Sequence, residues 1–156
     1  MRIKSIPAWM PVAFDELGVK EIPGDGDNPR IVEYHQATTL KATDEEVPWC
    51  SAFANWVMRE AGYTYTKSAA ARSWLTWGDE IEFPVYGAVT VLRRGNNPAQ
   101  GHVGFFVDQP EAGVIRLLGG NQSDSVNITV FSASRVIGYR WPSAEEVPHA
   151  TVDLDD

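Results

Sequence analysis

Three residues in this sequence have side chains that together suit covalent catalysis by sulfur: Cys50, His102 and Asn121. A thiol nucleophile needs a base that takes its proton and later returns it to the leaving group. It also needs a third group that fixes which imidazole nitrogen carries the hydrogen. An amide oxygen can accept the imidazole N–H as a carboxylate does, and Gln122 is the alternative if Asn121 instead shapes its loop. The residue types therefore permit a Cys-His-Asn triad.

Cys50 is the only cysteine, which excludes an internal disulfide and an all-cysteine metal site. Apolar residues recur with helical spacing over residues 48–61, PWCSAFANWVMREA, and Pro48 suits the approach to a helix start. We therefore expect Cys50 in or beside the first turn, where the helix dipole favours a thiolate. The competing interpretation is structural, because a lone cysteine beside aromatic residues is most often a small buried hydrophobe.

His102 is the candidate base because it begins a predicted strand, HVGFFVD, immediately after a glycine. Asn121 lies 19 residues further on, at the end of the next predicted strand. Adjacent antiparallel strands would bring the two residues to the same end of the sheet. Of the other histidines, His35 is expected in a surface or capping role on an early helix, and His149 lies in a predicted tail.

The remaining pattern predicts an α+β domain in which N-terminal helices pack on a five-stranded antiparallel sheet. Helices are expected at residues 8–18, from Pro29 with Asn28 as its cap, at 48–61 and at 69–77 after Ser68. Strands are expected at residues 88–93, 102–108, 114–118, 126–131 and 135–141. Residues 1–142 are predicted to form a single domain, and the acidic residues 143–156 a mobile tail.

The composition limits the possible partners. The formal charge of −8 argues against nucleic acid or an anionic membrane surface as the main partner. No apolar run has the length of a signal peptide or a membrane span, so we expect synthesis in the cytoplasm without a signal peptide. Asp25 and Asp27 alternate with glycines, but the spacing of a calcium loop is absent and a turn is expected. We expect a monomer without a cofactor.

Several motifs together resemble the papain-like CHAP and NlpC/P60 superfamily of bacterial and phage cysteine peptidases and amidases. They are PWCSAFANWVMREAG, GAVTVLRRG followed by GHVGFFV, LLGGNQSDSVNI, and the N-terminal ELGVKEIPGDGDNPRIVEYH. Each is weak alone, but their order covers residues 9–141. The sequence is most similar to CHAP-like members found among phage endolysins and secreted cell-wall toxins.

The resemblance implies that Cys50 is the nucleophile, His102 the general base and acid, and Asn121 the orienting residue. Many CHAP domains have a glutamate two places before that asparagine, where this sequence has Gly119. The implied substrate is an amide bond of the peptidoglycan stem peptide, cut without a metal, at the cell wall or in the periplasm after release or delivery. An immunity protein or a delivery apparatus is a possible further partner of such a toxin.

Two aromatic residues, Trp49 and Trp77, are candidates for a substrate groove, since aromatic rings stack on sugar and peptide faces; core packing is the alternative. Two other functions remain open. One is a cysteine hydrolase or transferase that acts on substrates outside the wall. The other is a non-catalytic wall-binding module, which would not need Cys50, His102 and Asn121 together.

Overall fold

The computed structural model describes residues 5–23, 27–40, 48–146 and the backbone of 151–153, and it has the α+β architecture that the sequence predicts. The α-helices are α1 (Trp9–Phe14), α2 (Pro29–His35) and α3 (Cys50–Glu60), and a 3-10 helix spans Ala71–Thr76. The strands are β1 (Ser5–Pro7), β2 (Asp79–Ile81), β3 (Val89–Arg93), β4 (Gly101–Glu111), β5 (Val114–Gln122), β6 (Ser125–Ser132), β7 (Val136–Trp141) and β8 (Thr151–Asp153). No helix in the described part of the chain is long and apolar enough to cross a membrane.

The main sheet has six antiparallel strands in the order β2-β7-β3-β4-β5-β6, one more than the sequence predicts. The additional strand, β2, is an edge strand of three residues, two of them acidic and exposed. So short and polar a segment has no alternation of apolar residues by which to recognise it. The five predicted strands all form, and β4, β5 and β6 extend beyond their predicted ends.

The two faces of the sheet are covered differently. Helix α3 packs on the face formed by alternate residues of β4 and β5, including Val103, Phe105 and Leu118, and α1 and α2 pack against α3. The opposite face carries a smaller apolar cluster that includes Leu92 and Phe106. Because successive side chains of a strand point to opposite faces of the sheet, neighbouring residues of β4 lie in different surroundings.

Gly120 lets the start of α3 lie directly on β5. A Cβ atom at this position would meet Cβ of Phe53 at 2.7 Å and the Trp49 ring at 2.8 Å. Real Cβ atoms do not approach other heavy atoms so closely, so only glycine permits this spacing without a shift of the helix. The contact fixes the height of the first turn of α3, and hence of Cys50, above the sheet.

Several sequence expectations are changed in detail. The predicted helix at residues 69–77 is a 3-10 helix, and α1 ends at Phe14, before Gly18 turns the chain with a φ of +96°. Asn28 caps α2 as predicted, its Oδ1 accepting from the Arg30 N–H at 2.9 Å. Residues 24–26, which include Asp25, lie outside the described residues.

Part of the predicted tail is attached to the domain. Ala144–Glu146 form a 3-10 turn, and the Glu146 carboxylate accepts a hydrogen bond from the Thr64 N–H at 2.7 Å. Further on, β8 pairs with β1 in a separate two-stranded sheet. His149 lies outside the described residues.

Candidate active site

Cys50 is the first residue of α3, as the helical spacing predicts. The residue before it, Trp49, has non-helical backbone angles and no side-chain capping bond. The first N–H groups of α3 therefore point past the thiol without a side-chain cap, which is the arrangement that stabilises negative charge. The thiol is 6% exposed and lines an open pocket, whose wall is formed by Pro48, Ala69, Ala70, Ala71, Arg94, Ala99, Gln100 and Gly101.

Opposing effects act on the Cys50 thiol. Burial raises its pKa, whereas the Val103 N–H, the Arg94 charge and the first N–H groups of α3 lower it. Burial is the largest effect, so the pKa of Cys50 lies above its usual value. The first N–H groups of α3 favour the thiolate as expected, but in the free protein burial outweighs them.

His102 points from β4 toward the smaller apolar cluster, where its ring lies 5.3 Å from the Phe131 ring, centroid to centroid. It is 3% exposed. Its Nε2 atom lies 2.9 Å from Oε1 of Gln122. Burial lowers the pKa of His102 to about 4, the Gln122 hydrogen bond opposes this, and the charges of Arg94 and Arg135 add to it. The imidazole is consequently neutral at pH 7.

The hydrogen bonds of Gln122 determine which imidazole nitrogen carries the hydrogen. Its amide nitrogen donates to the backbone oxygens of Leu117 and Asn127, at 3.2 Å and 2.8 Å. These acceptors fix the orientation of the amide and leave its oxygen facing His102. Nε2 of His102 must then be the donor, so Nδ1 is the unprotonated nitrogen that can accept a proton.

Asn121, the predicted orienting residue, has a different position. Its φ is +56°, and it lies near the end of β5, where the pairing with β6 is irregular, just before the turn at Ser123 and Asp124, which also have positive φ values. Asparagine tolerates this left-handed conformation better than most residues. Its side chain has no hydrogen bond to any of the described residues, although it borders the pocket that contains His102. Gln122, the alternative considered from the sequence, makes the contact to the imidazole.

Gly119 leaves the space that Gln122 occupies. A Cβ atom at position 119 would lie 2.5 Å from Oε1 of Gln122. The absence of a side chain here thus allows a carboxamide three residues later to reach the imidazole.

The thiol and the imidazole lie in neighbouring pockets. The thiol interacts with the N–H of Val103, the residue that follows His102, and Arg94 borders both pockets. No hydrogen bond joins the sulfur to the imidazole among the described residues, and such bonds often form only when substrate is present. The thiol therefore lies beside the start of β4, and His102 and Asn121 border the adjacent pocket.

A family comparison agrees with this arrangement. The model of the CHAP domain matches residues 42–121, just over half of the chain, a span that begins before Cys50 and ends at Asn121. The chain belongs to the CHAP family. CHAP domains are generally cysteine- and histidine-dependent amidases or peptidases, and the family is one of peptidoglycan hydrolases and amidases. Among curated proteins, none matches the sequence significantly.

Other candidate residues of this CHAP domain have structural positions. Trp49 is fully buried and its indole N–H donates to Glu21 at 2.8 Å, so core packing accounts for it and no face is open to substrate. Trp77 is 8% exposed and donates to Thr64 Oγ1 at 3.2 Å. His35 is fully buried at the end of α2, so of the two roles expected for it, surface or capping, the surface role is wrong.

Three features of the site were not found from the sequence. Arg94 and Arg135 border the His102 pocket, but their places in the sequence, just after one predicted strand and at the start of another, give no sign of a shared pocket. Asn55, fully buried on α3, organises the segment that leads into the thiol pocket.

Among the described residues, no three side chains of His, Cys, Asp or Glu are grouped as a metal site would require.

Proposed function

We propose that this CHAP domain hydrolyses an amide bond of the peptidoglycan stem peptide, with Cys50 as nucleophile, His102 as base and acid, and Gln122 as the orienting residue. The observation that carries the proposal is the hydrogen bond from His102 Nε2 to Gln122. It holds the imidazole as the tautomer whose Nδ1 can accept the thiol proton. Asn121, the earlier candidate for the third position, is proposed to shape the turn.

The reaction begins with a neutral thiol and a neutral imidazole, since burial raises the pKa of Cys50 and lowers that of His102. As sulfur attacks the amide carbonyl, the thiol proton passes to Nδ1 of His102. The imidazolium then donates this proton to the departing amine, leaving a thioester on Cys50. Water, deprotonated by the same imidazole, hydrolyses the thioester and restores the thiol.

Negative charge develops on the carbonyl oxygen during the attack. The uncapped N–H groups at the start of α3 are suited to stabilise it, because they are fixed before the substrate arrives. Gln122 contributes by opposing rotation of the imidazole while that ring is charged. Its amide is itself fixed by three acceptors, which include both oxygens of Asn127.

The decisive experiment is digestion of purified sacculi, with the released fragments identified by mass spectrometry. The wild-type protein should release fragments that end at one type of amide bond, and Cys50→Ala should lose at least several orders of magnitude in rate. Arg59→Gln, which changes the surface at the far end of α3, is the matched control and should cleave normally. An intact wall, or normal cleavage by Cys50→Ala, would reject the proposal.

A cysteine hydrolase or transferase that acts on other amides would use the same three residues. Assays of protein and glutathione-like substrates beside sacculi separate the two functions, because the Cys50-dependent activity must follow one substrate class. Binding of sacculi without cleavage would indicate the wall-binding module instead. We also propose that the enzyme acts at the wall after release or delivery, as a phage lysin or an antibacterial toxin.

A further inference from the structure

The pocket that contains His102 is bordered by two guanidinium groups, those of Arg94 and Arg135. Its other lining residues are neutral: Asn121, Gln122, Ser123, Thr129 and Phe131. The whole chain has a formal charge of −8. This pocket has two cations and no acidic lining residue, so it is positive although the molecule as a whole is negative. Such a reversal beside an active site favours an anionic ligand.

Neither guanidinium is neutralised within the described part of the chain. Arg30, Arg59 and Arg116 each pair with a carboxylate, whereas no described carboxylate lies within ion-pair distance of Arg94 or Arg135. Both cations are therefore available to a ligand.

Arg135 is nevertheless held in place. Its guanidinium lies over the Phe131 ring, 5.4 Å from the centroid, and donates to the Arg93 backbone oxygen at 3.2 Å and 3.3 Å. Ring stacking and two hydrogen bonds restrict this long side chain before any ligand binds. Less conformational entropy is then lost on binding, as in preorganised sites.

We propose that Arg94 and Arg135 bind a carboxylate of the stem peptide close to the amide that is cut. This inference rests on the proposed function and specifies its substrate as an acidic peptide. The planar guanidinium matches a carboxylate with two parallel hydrogen bonds, which gives orientation as well as affinity. Arg94 also borders the thiol pocket, so a peptide that spans both pockets has its carboxylate beside the reacting amide.

A bound carboxylate also affects the base. The charged groups that act on His102 are Arg94 and Arg135, and both disfavour a positive charge on the imidazole. A substrate carboxylate offsets these charges at the step in which His102 accepts the thiol proton. Substrates with the anion should therefore gain in turnover as well as in binding.

The test measures binding to the Cys50→Ala protein, so that it does not depend on cleavage. Stem peptides are compared in pairs, in which the D-glutamyl α-carboxylate, the side-chain carboxylate of the third residue or the C-terminal carboxylate is replaced by a carboxamide. At least one replacement should weaken binding about tenfold or more, the value expected for a charge-assisted pair. Adding Arg94→Gln or Arg135→Gln should abolish that preference, while Arg59→Gln should retain it.

Two results would overturn the inference: equal binding of both members of every pair, or a preference that survives both arginine substitutions. Arg94→Gln changes an exposed residue and guards against misfolding of the Arg135 variant, whose stability is checked by thermal unfolding. Failure of the proposed function looks different. In that case sacculi and peptides remain uncut by the wild-type protein, whatever the binding preference.

Discussion

The imidazole of His102 donates a hydrogen bond from Nε2 to Oε1 of Gln122, and the two atoms are 2.9 Å apart. The donor and acceptor roles follow from the surroundings of Gln122, because its amide nitrogen donates to other oxygens and only its amide oxygen faces the imidazole. Gln122, the last residue of β5 and the neighbour of the predicted Asn121, thus has the geometry expected of the third member of a catalytic triad.

We predict that Gln122→Ala lowers kcat on the order of 10²-fold, because the imidazole loses the partner that fixes its tautomer and orientation. Asn121→Gly is the matched control, since glycine readily adopts the φ of +56° found there. That variant should retain kcat within a few-fold. Steady-state kinetics on a soluble muropeptide measure both, and a larger loss in Asn121→Gly would return the third position to Asn121.

The space above Gly119 provides a second prediction. Gly119→Ala should reduce kcat to a similar extent as Gln122→Ala, because the new Cβ would lie 2.5 Å from Gln122 Oε1 and must displace it. The double variant Gly119→Glu with Gln122→Ala should recover activity relative to Gln122→Ala alone, since the glutamate then has the vacated space beside the imidazole. No recovery in the double variant, with a folded protein, would show that position 119 cannot supply the third group.

Periodicity predicted the helices and five of the six main strands because their apolar residues alternate or recur every three to four positions. The same reasoning placed Cys50 at the start of α3 and His102 next to the start of β4. It did not decide between Asn121 and Gln122. That choice depends on the backbone at the end of β5, where the positive φ of Asn121 and the empty space at Gly119 direct the side chain of Gln122 toward the imidazole.

Charge and burial were less accessible from the sequence. The helix terminus at Cys50 suggested a thiolate, but the pKa of the thiol depends on how deeply α3 packs on the sheet. Arg94 and Arg135 are 41 residues apart in the sequence and meet only because β7 pairs with β3. The type and sequence neighbours of one residue do not show which distant residue it will contact.

The buried imidazole predicts a specific dependence of stability on pH. Burial lowers the pKa of His102 to about 4 in the folded protein, whereas the unfolded chain has the ordinary value of 6.5. The unfolded state therefore binds more protons between these values, and the stabilising contribution is complete above pH 6.5 and decreases as the pH falls through 4. The free energy of unfolding should fall by up to about 3 kcal/mol from this group.

Urea denaturation of the wild-type protein and of His102→Gln over pH 4 to 7 isolates the contribution of the imidazole. The free energy of unfolding of the wild-type protein minus that of His102→Gln should decrease as the pH is lowered, because glutamine does not titrate. A constant difference across this range would mean that the imidazole is already protonated in the fold or remains solvated.

Cys50 should react slowly with iodoacetamide at neutral pH. Burial raises the pKa of its thiol, so the thiolate that reacts is scarce in the free protein. The alkylation rate should continue to rise with pH beyond 9, the pH near which an ordinary cysteine is already half ionised. A rate that is independent of pH between 6 and 8, measured by mass spectrometry, would instead indicate a preformed thiolate.

The buried carboxamide of Asn55 should hold the segment that leads into the thiol pocket. Its Oδ1 accepts from the Lys67 N–H at 2.8 Å, and its Nδ2 donates to the Ser68 backbone oxygen at 3.1 Å. Lys67 has a φ of +62°, a conformation that these bonds help to maintain. Asn55→Leu preserves the volume but leaves both backbone groups without this partner, so the free energy of unfolding should fall by about 2 to 4 kcal/mol.

Hydrogen exchange distinguishes this role from general destabilisation. In Asn55→Leu the Lys67 amide should exchange much faster, relative to the amides in the middle of β4, than it does in the wild-type protein. Ser68→Ala is the control, because the serine hydroxyl accepts from the Ala70 N–H, away from Asn55, while the backbone oxygen at position 68 is unchanged. If the Lys67 amide stayed as protected as β4 in Asn55→Leu, the segment would be held by other contacts. The pocket wall at Ala69, Ala70 and Ala71 would then not depend on Asn55.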